Sequence, residues 1–202
     1  MGKRPRFQLA LIDPPWFYYG DPNKNAAAGK HYPLMSQEEL AALPVRQILT
    51  RRAAVFLWAT GPRLDMAIDL LRAWGLHYRG VAYVWVKTNA KGEPIRGQGI
   101  PPTFTKPTTE FLLAATTIVR GRPLPVHDMA QGQVVLHARG RHSEKPAVFH
   151  GLLEELLGDV SRVELFARHQ RPGWTCLGEE IDGRSIQDTL AEIAGKPRVR
   201  KL

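Results

Sequence analysis

A single cysteine, Cys176, leaves no disulfide within the chain and no zinc site built on paired cysteines. Acidic residues are also scarce: 19 Asp and Glu face 28 Lys and Arg, for a net charge of +9 and a pI of about 10.0. That balance excludes an acidic surface and suits a polyanion partner, most simply nucleic acid. Long apolar runs are missing. AAVFLWA at 53–59 falls far short of the ~20 residues that span a membrane. The start, MGKRPRFQ, holds no apolar signal region, so the expectation is an intracellular, cytoplasmic protein with no membrane partner. The histidines form no metal motif: His137 and His142 flank a loop without a carboxylate at ligand spacing, and no metal is expected.

What is present is a globular pattern. The chain has 202 residues, 44% of them hydrophobic, enough for one domain with a substantial core. Strands are predicted at Phe7–Ile12, 53–59, Tyr78–Val86, Thr109–Ala115, 133–138, 162–168 and 175–180. Helices are predicted after the capping box SQEE at 36–39, over 62–74, over Pro146–Leu157 and over 185–194. Three long loops, 14–35, 88–106 and 119–132, exceed what a connection needs. Strands alternating with helices indicate an α/β sheet covered on both faces. Such sheets bind ligands beyond the carboxyl ends of their strands.

LIDPPWFYYG at 11–20 sits at one of those ends. An exocyclic amine on a nucleobase is a poor nucleophile because its lone pair is delocalised into the ring. Two acceptors on its N–H groups help to localise that pair. The Asp13 carboxylate is one acceptor and the Pro14 carbonyl can be the other, with Pro14 and Pro15 fixing the backbone. Trp16 can stack on the base plane. The same residues also fit an Asp-Pro turn followed by a core tryptophan.

With DPPW at 13–16, the sequence resembles the adenine-N6 methyltransferase family that includes the eukaryotic mRNA N6-adenosine methyltransferase and its bacterial and phage relatives. The resemblance extends through YPLMS at 32–36, VFLWATG at 55–61, WGLHYRGVAYVWVKTN at 74–89, HSEKP at 142–146, and VELFAR and RPGWTCLGEE between 163 and 180. It implies S-adenosyl-L-methionine as cofactor and a Rossmann-like methyltransferase sheet in permuted motif order, with the DPPW strand first. It implies a methyltransferase domain over 1–183, followed by a C-terminal helix and basic tail at 184–202, and a bacterial or phage-type protein.

By the same resemblance, Asp13, Pro14, Pro15 and Trp16 are the catalytic residues, with Asp13 also touching the donor. Lys145 contacts the donor's carboxylate, and Glu164 its ribose hydroxyls. Phe166, Arg168, His169, Glu179 and Glu180 complete the donor site. Trp16, Tyr32, Trp85 and Lys87 face the acceptor base. One departure stands out: Gly178-Glu179-Glu180 replaces a Gly-Asn-Gln or Gly-Asn-Glu of the family, and a carboxylate accepts hydrogen bonds where an Asn amide also donates. The implied activity is methylation of adenine N6 in DNA, ahead of the same chemistry in RNA. A catalytically silent nucleic-acid-binding subunit is the third reading, and under any of the three the chain can form a homo- or hetero-oligomer. The loops at 17–31, 88–106 and 119–132 are the candidate target readers.

Overall fold

The computed structural model describes residues 5–16, 34–97, 104–140 and 144–195. The seven strands form one sheet. They are β1 (Phe7–Ile12), β2 (Leu49–Thr60), β3 (His77–Thr88), β4 (Thr109–Thr116), β5 (Val134–Ala138), β6 (Arg162–Leu165) and β7 (Thr175–Leu177), in the order β5-β3-β4-β2-β1-β6-β7. β1 pairs in parallel with both β2 and β6, β6 with β7, and β3 with β5. β4 alone runs antiparallel, between β2 and β3.

Helices cover both faces, as the near-continuous apolar strands require. On one face lie α1 (Gln37–Ala41), α2 (Val45–Ile48), α3 (Leu64–Ala73) and α6 (Ile186–Ala194), which bury Leu40, Ile48, Leu70, Leu71 and Leu190 against Ala10, Ile12, Val55 and Leu57. On the other, α4 (Val148–Leu157) buries Phe149, Leu153 and Leu157 against Leu9, Leu11, Phe56 and Trp58. Each fully buried Leu or Phe contributes ~1.5–3 kcal/mol of hydrophobic stabilisation. The Trp58 ring meets Phe149 edge-on at 4.7 Å and Trp85 at 6.3 Å, tying β2, β3 and α4 together.

The local signals are realised. Ser36 accepts from the Glu39 backbone N–H while the Glu39 side chain accepts from the Ser36 N–H. α3 stops before Gly75, whose φ of +70° suits glycine. Pro44 takes the N-cap position of α2.

Two expectations at the carboxyl end of the chain are corrected. The sixth strand stops at Leu165, not at 168, because Phe166 turns into the left-handed region with φ 63°. The seventh stops at Leu177, and Glu179–Asp182 forms a short helix, α5.

A third correction concerns the loop at 119–132. β4 runs against its neighbours, so its last residue, Thr116, lies opposite Ala54, six residues before the cleft end of β2, and His77, the first residue of β3. Farther along, His127 N–H bonds the carbonyl of Leu156 at the end of α4. The stretch from 119 to 127 therefore lies at the end of the sheet opposite to Asp13, and the loop returns only with Gln131 and Gln133, which bond Tyr83 and Val84 of β3.

Candidate active site

Four parallel strand ends and the start of β4 meet in one cleft. β1 delivers Asp13, Pro14, Pro15 and Trp16; β2 delivers Trp58, Ala59 and Thr60; β4 delivers Glu110. Lys145 enters from just before α4, Phe166–Arg168 follow β6, and Glu179 and Glu180 open α5. The cavity measures about 190 Å³.

The DPPW turn is held by its own backbone. Trp16 N–H donates to the Pro14 carbonyl at 2.9 Å, and Met35 N–H to the Pro15 carbonyl at 3.0 Å. One acceptor direction of the Pro14 oxygen is thus used and a second remains. Trp16, 6% exposed, packs into the core beside Met35, so the turn is anchored by its own indole.

Charge in the cleft is arranged as an alternating chain. The Lys145 ammonium stands 2.9 Å from each Asp13 carboxylate oxygen and 3.4 Å from Glu110 Oε2. Glu110 Oε1 in turn accepts from Lys87 at 2.6 Å. Two acids and two lysines balance, so the buried charges have partners. Burial pushes the Asp13 carboxyl above its ordinary range, and Lys145 opposes that rise without cancelling it. For Glu110, burial also pushes upward, but the combined pull of Lys145 and Lys87 prevails and its pKa falls. Lys145 further lies 5.7 Å above the Trp58 ring, a cation–π contact.

Opposite this chain, Phe166 and Ala167 supply an apolar wall, and Arg168 Nε lies 3.5 Å from Glu180 Oε1. Phe166 is the one described non-glycine residue with positive φ. A bulky residue there carries strain of order 1–3 kcal/mol, of a kind that clusters at functional sites. Gly178 is required by space rather than by its backbone angles: a Cβ there would stand 2.2 Å from the Ala167 carbonyl oxygen.

The sequence-derived candidates divide accordingly. Asp13, Pro14, Pro15, Trp16, Lys145, Phe166, Arg168, Glu179 and Glu180 line the cleft together. Lys87 reaches it only through Glu110. Trp85 is 2% exposed, donates from Nε1 to the His137 carbonyl and is a core residue. Glu164 lies under α4, bonded to His150 Nε2 at 2.9 Å, and is not in the lining. His169 is exposed beyond the lining. Tyr32 falls outside the described residues.

Glu110, Trp58, Thr60 and His150 were missed. A carboxylate inside the apolar strand TEFLLAAT, near a lysine on the next strand, was a usable signal for Glu110. Trp58 in a run such as AAVFLWA reads as core, and it is core as well as lining. Among the described residues no group of three metal-ligating side chains comes together. No described helix is long and apolar enough to cross a membrane.

The sheet and cleft define an α/β domain with a cavity beyond the carboxyl ends of parallel strands, where such sheets bind ligands, and with a paired carboxylate at the end of β1. Comparison narrows the class: the chain belongs to the MT-A70 family, whose family model matches residues 7–180. It is 31% identical over 210 positions to the type II methyltransferase M.MunI of a Mycoplasma species, covering 94% of this chain and 84% of that protein. It is 29% identical to the Drosophila melanogaster N(6)-adenosine-methyltransferase MT-A70-like protein and 26% identical to the Homo sapiens N(6)-adenosine-methyltransferase catalytic subunit METTL3. Those two alignments take in 91% of this chain but only 28% and 30% of the relatives, so it spans less than a third of their length. The family is one of adenine-N6 methyltransferases, generally dependent on S-adenosylmethionine, and the mixed seven-stranded sheet flanked by helices is consistent with its fold.

Proposed function

We propose that this chain transfers a methyl group from S-adenosylmethionine to the N6 amine of adenine, in DNA before RNA. The observation that carries the reading is the Asp13 carboxylate, set beside the Pro14 carbonyl at the end of β1 and paired to Lys145 inside the cleft. The near-full-length match to a type II methyltransferase favours DNA.

The lining suits such a donor. Lys145 and Arg168 offer cations for a carboxylate, Phe166 and Ala167 an apolar wall for a ring, and Glu179 and Glu180 acceptors for hydroxyl groups. Glu164 contributes to this site through its position beside the Phe166 turn, and His169 at its rim. Bound S-adenosylmethionine supplies an electrophilic methyl group on a sulfonium.

The chain's own residues do the rest. Asp13 and the free acceptor direction of the Pro14 carbonyl receive the two amine N–H groups and orient the lone pair for in-line attack. Each Asp13 oxygen has a second lone pair beside the one directed at Lys145, so it can accept the amine N–H while the ion pair stays in place. As the amine becomes cationic, Asp13 stabilises the charge. Its raised pKa also makes it a better proton acceptor than an ordinary aspartate. A base in a duplex must leave the stack to reach this position.

The test is a tritiated-methyl assay on matched DNA and RNA pools, followed by nucleoside analysis. Label in N6-methyldeoxyadenosine is the expected result. Label only in N6-methyladenosine would move the substrate to RNA, and none in either would leave a silent binding subunit.

A further inference from the structure

The basic segment VRGRP at 119–123 is not accounted for by the cleft, since it follows β4 at the opposite end of the sheet. It does not stand alone there. Arg52, near the start of β2, donates from Nε to the Pro123 carbonyl at 3.0 Å and from Nη2 to the Arg122 carbonyl at 2.7 Å. Arg79, near the start of β3, donates to Thr116 Oγ1 at 2.9 Å and to the carbonyls of Ile118 at 2.9 Å and Gly121 at 3.2 Å. Two guanidinium groups thus clamp the loop from two strands. The Arg51 carbonyl accepts from Thr117 Oγ1 at 2.9 Å, which puts Arg51 at the same place.

Arg51, Arg52, Arg79, Arg120 and Arg122 are all exposed, and none forms an ion pair with a described carboxylate. Carbonyl oxygens satisfy hydrogen bonds but leave the net charge in place. Acids do occur at this end, in Asp128, Glu155 and Asp159, but none pairs with these five; Asp159 reaches Arg162 at 4.0 Å. Arg52 and Arg79 hold the loop in place, and Arg51, Arg120 and Arg122 add exposed positive charge beside it, the guanidinium chemistry that suits phosphate.

We infer that this end of the sheet is a second nucleic-acid contact, which grips the phosphate backbone away from the base being modified. Ala54, opposite Leu9, stands six residues before Thr60 at the cleft, roughly 20 Å at the ~3.3 Å rise of a strand, and Arg51 and Arg52 lie beyond it. The two contacts therefore engage different stretches of one polymer. The patch adds affinity without sequence readout, because phosphate contacts position and base contacts specify. The proposal rests on the nucleic-acid substrate proposed above.

The test uses the full chain with Arg120→Glu and Arg122→Glu together, leaving the clamps Arg52 and Arg79 in place, and Arg120→Lys with Arg122→Lys as the charge-conserving control. Fluorescence anisotropy on a 40-base-pair duplex, repeated over a salt series, is the first readout. The Glu variant should bind at least about tenfold more weakly, with the log–log salt slope smaller by about two, at ~0.9 per lost phosphate contact. The Lys variant should keep the slope. In methylation assays the Glu variant should show a raised KM for long DNA and an unchanged kcat. An unchanged slope and KM would overturn the inference, as would a fall in kcat at unchanged melting temperature. Binding is read without methyl transfer, so a failure of the proposed activity would show separately, as normal binding with no product.

Discussion

Lys145 holds both carboxylate oxygens of Asp13 at 2.9 Å, although the two residues are 132 positions apart. One comes from the turn after β1 and the other from the turn before α4, and only the sheet brings them together. The contact opposes the upward push that burial puts on the Asp13 carboxyl.

Asp13→Ala should abolish this acceptor while leaving the fold intact, because Glu110 remains to neutralise Lys145. Methyl transfer should fall at least about a hundredfold, with donor affinity changed far less, as for a group acting mainly in the transition state. Single-turnover rates and calorimetric titration of the donor check both halves. Near-normal turnover on the true substrate would remove Asp13 from the chemistry.

The two cleft acids should leave opposite marks on pH dependence. Asp13 is pushed above its ordinary value of 3.8, so its ionised form opposes folding above that value, and activity that needs the carboxylate should decline on the acid side from a higher pH than an ordinary aspartate would give. Glu110 is pulled below its ordinary value of 4.5; its contribution is present above that value and disappears as pH falls through the lowered one. Glu110→Gln should therefore destabilise the protein at neutral pH, with the difference from wild type shrinking below about pH 4. Melting curves from pH 3 to 7 decide it, and a difference constant across that range would contradict the assignment.

Glu164→Ala removes the partner of a buried histidine whose other ring nitrogen, Nδ1, has none among the described residues. The expected cost is ~1–3 kcal/mol in stability for a stranded polar group. Donor affinity should also weaken if Glu164 serves the donor site. Denaturant melts and calorimetry separate the two effects; loss of stability with unchanged donor affinity would reduce Glu164 to a structural partner of His150.

Gly178→Ala places a methyl group 2.2 Å from one backbone atom of Ala167 and 2.8 Å from another, neither of which is a flexible side-chain end. A loss of at least ~1–3 kcal/mol is expected from overpacking, with weakened donor binding because the Phe166–Arg168 wall must shift. Wild-type melting and affinity together would show that the two segments are not held this closely.

Glu179 lines the cleft where the family resemblance places an Asn. Glu179→Asn restores a hydrogen-bond donor and should tighten S-adenosylmethionine binding by ~0.5–1.5 kcal/mol. A clear weakening in calorimetry would mean that the carboxylate makes a contact of its own.

The sequence by itself determined what depends on neighbours along the chain. The apolar run FQLALI made β1, SQEE made its capping box, Gly75 closed α3, and DPPW put an acid and two prolines at a strand end. These signals are local, carried by propensity, periodicity and turn chemistry within a few residues. The tertiary structure decided the rest. Trp85 and Lys87 share one face of β3, with the ammonium 5.1 Å from the indole ring, yet packing buried the indole in the core while the longer lysine, nearer the strand end, reached Glu110. Glu110 became a site residue because β4 runs antiparallel and starts at the cleft, and the same reversal carried the loop after it to the far end. Strand direction and the pairing of charges across 132 residues are set by which apolar faces can be buried together, and no local pattern contains that information.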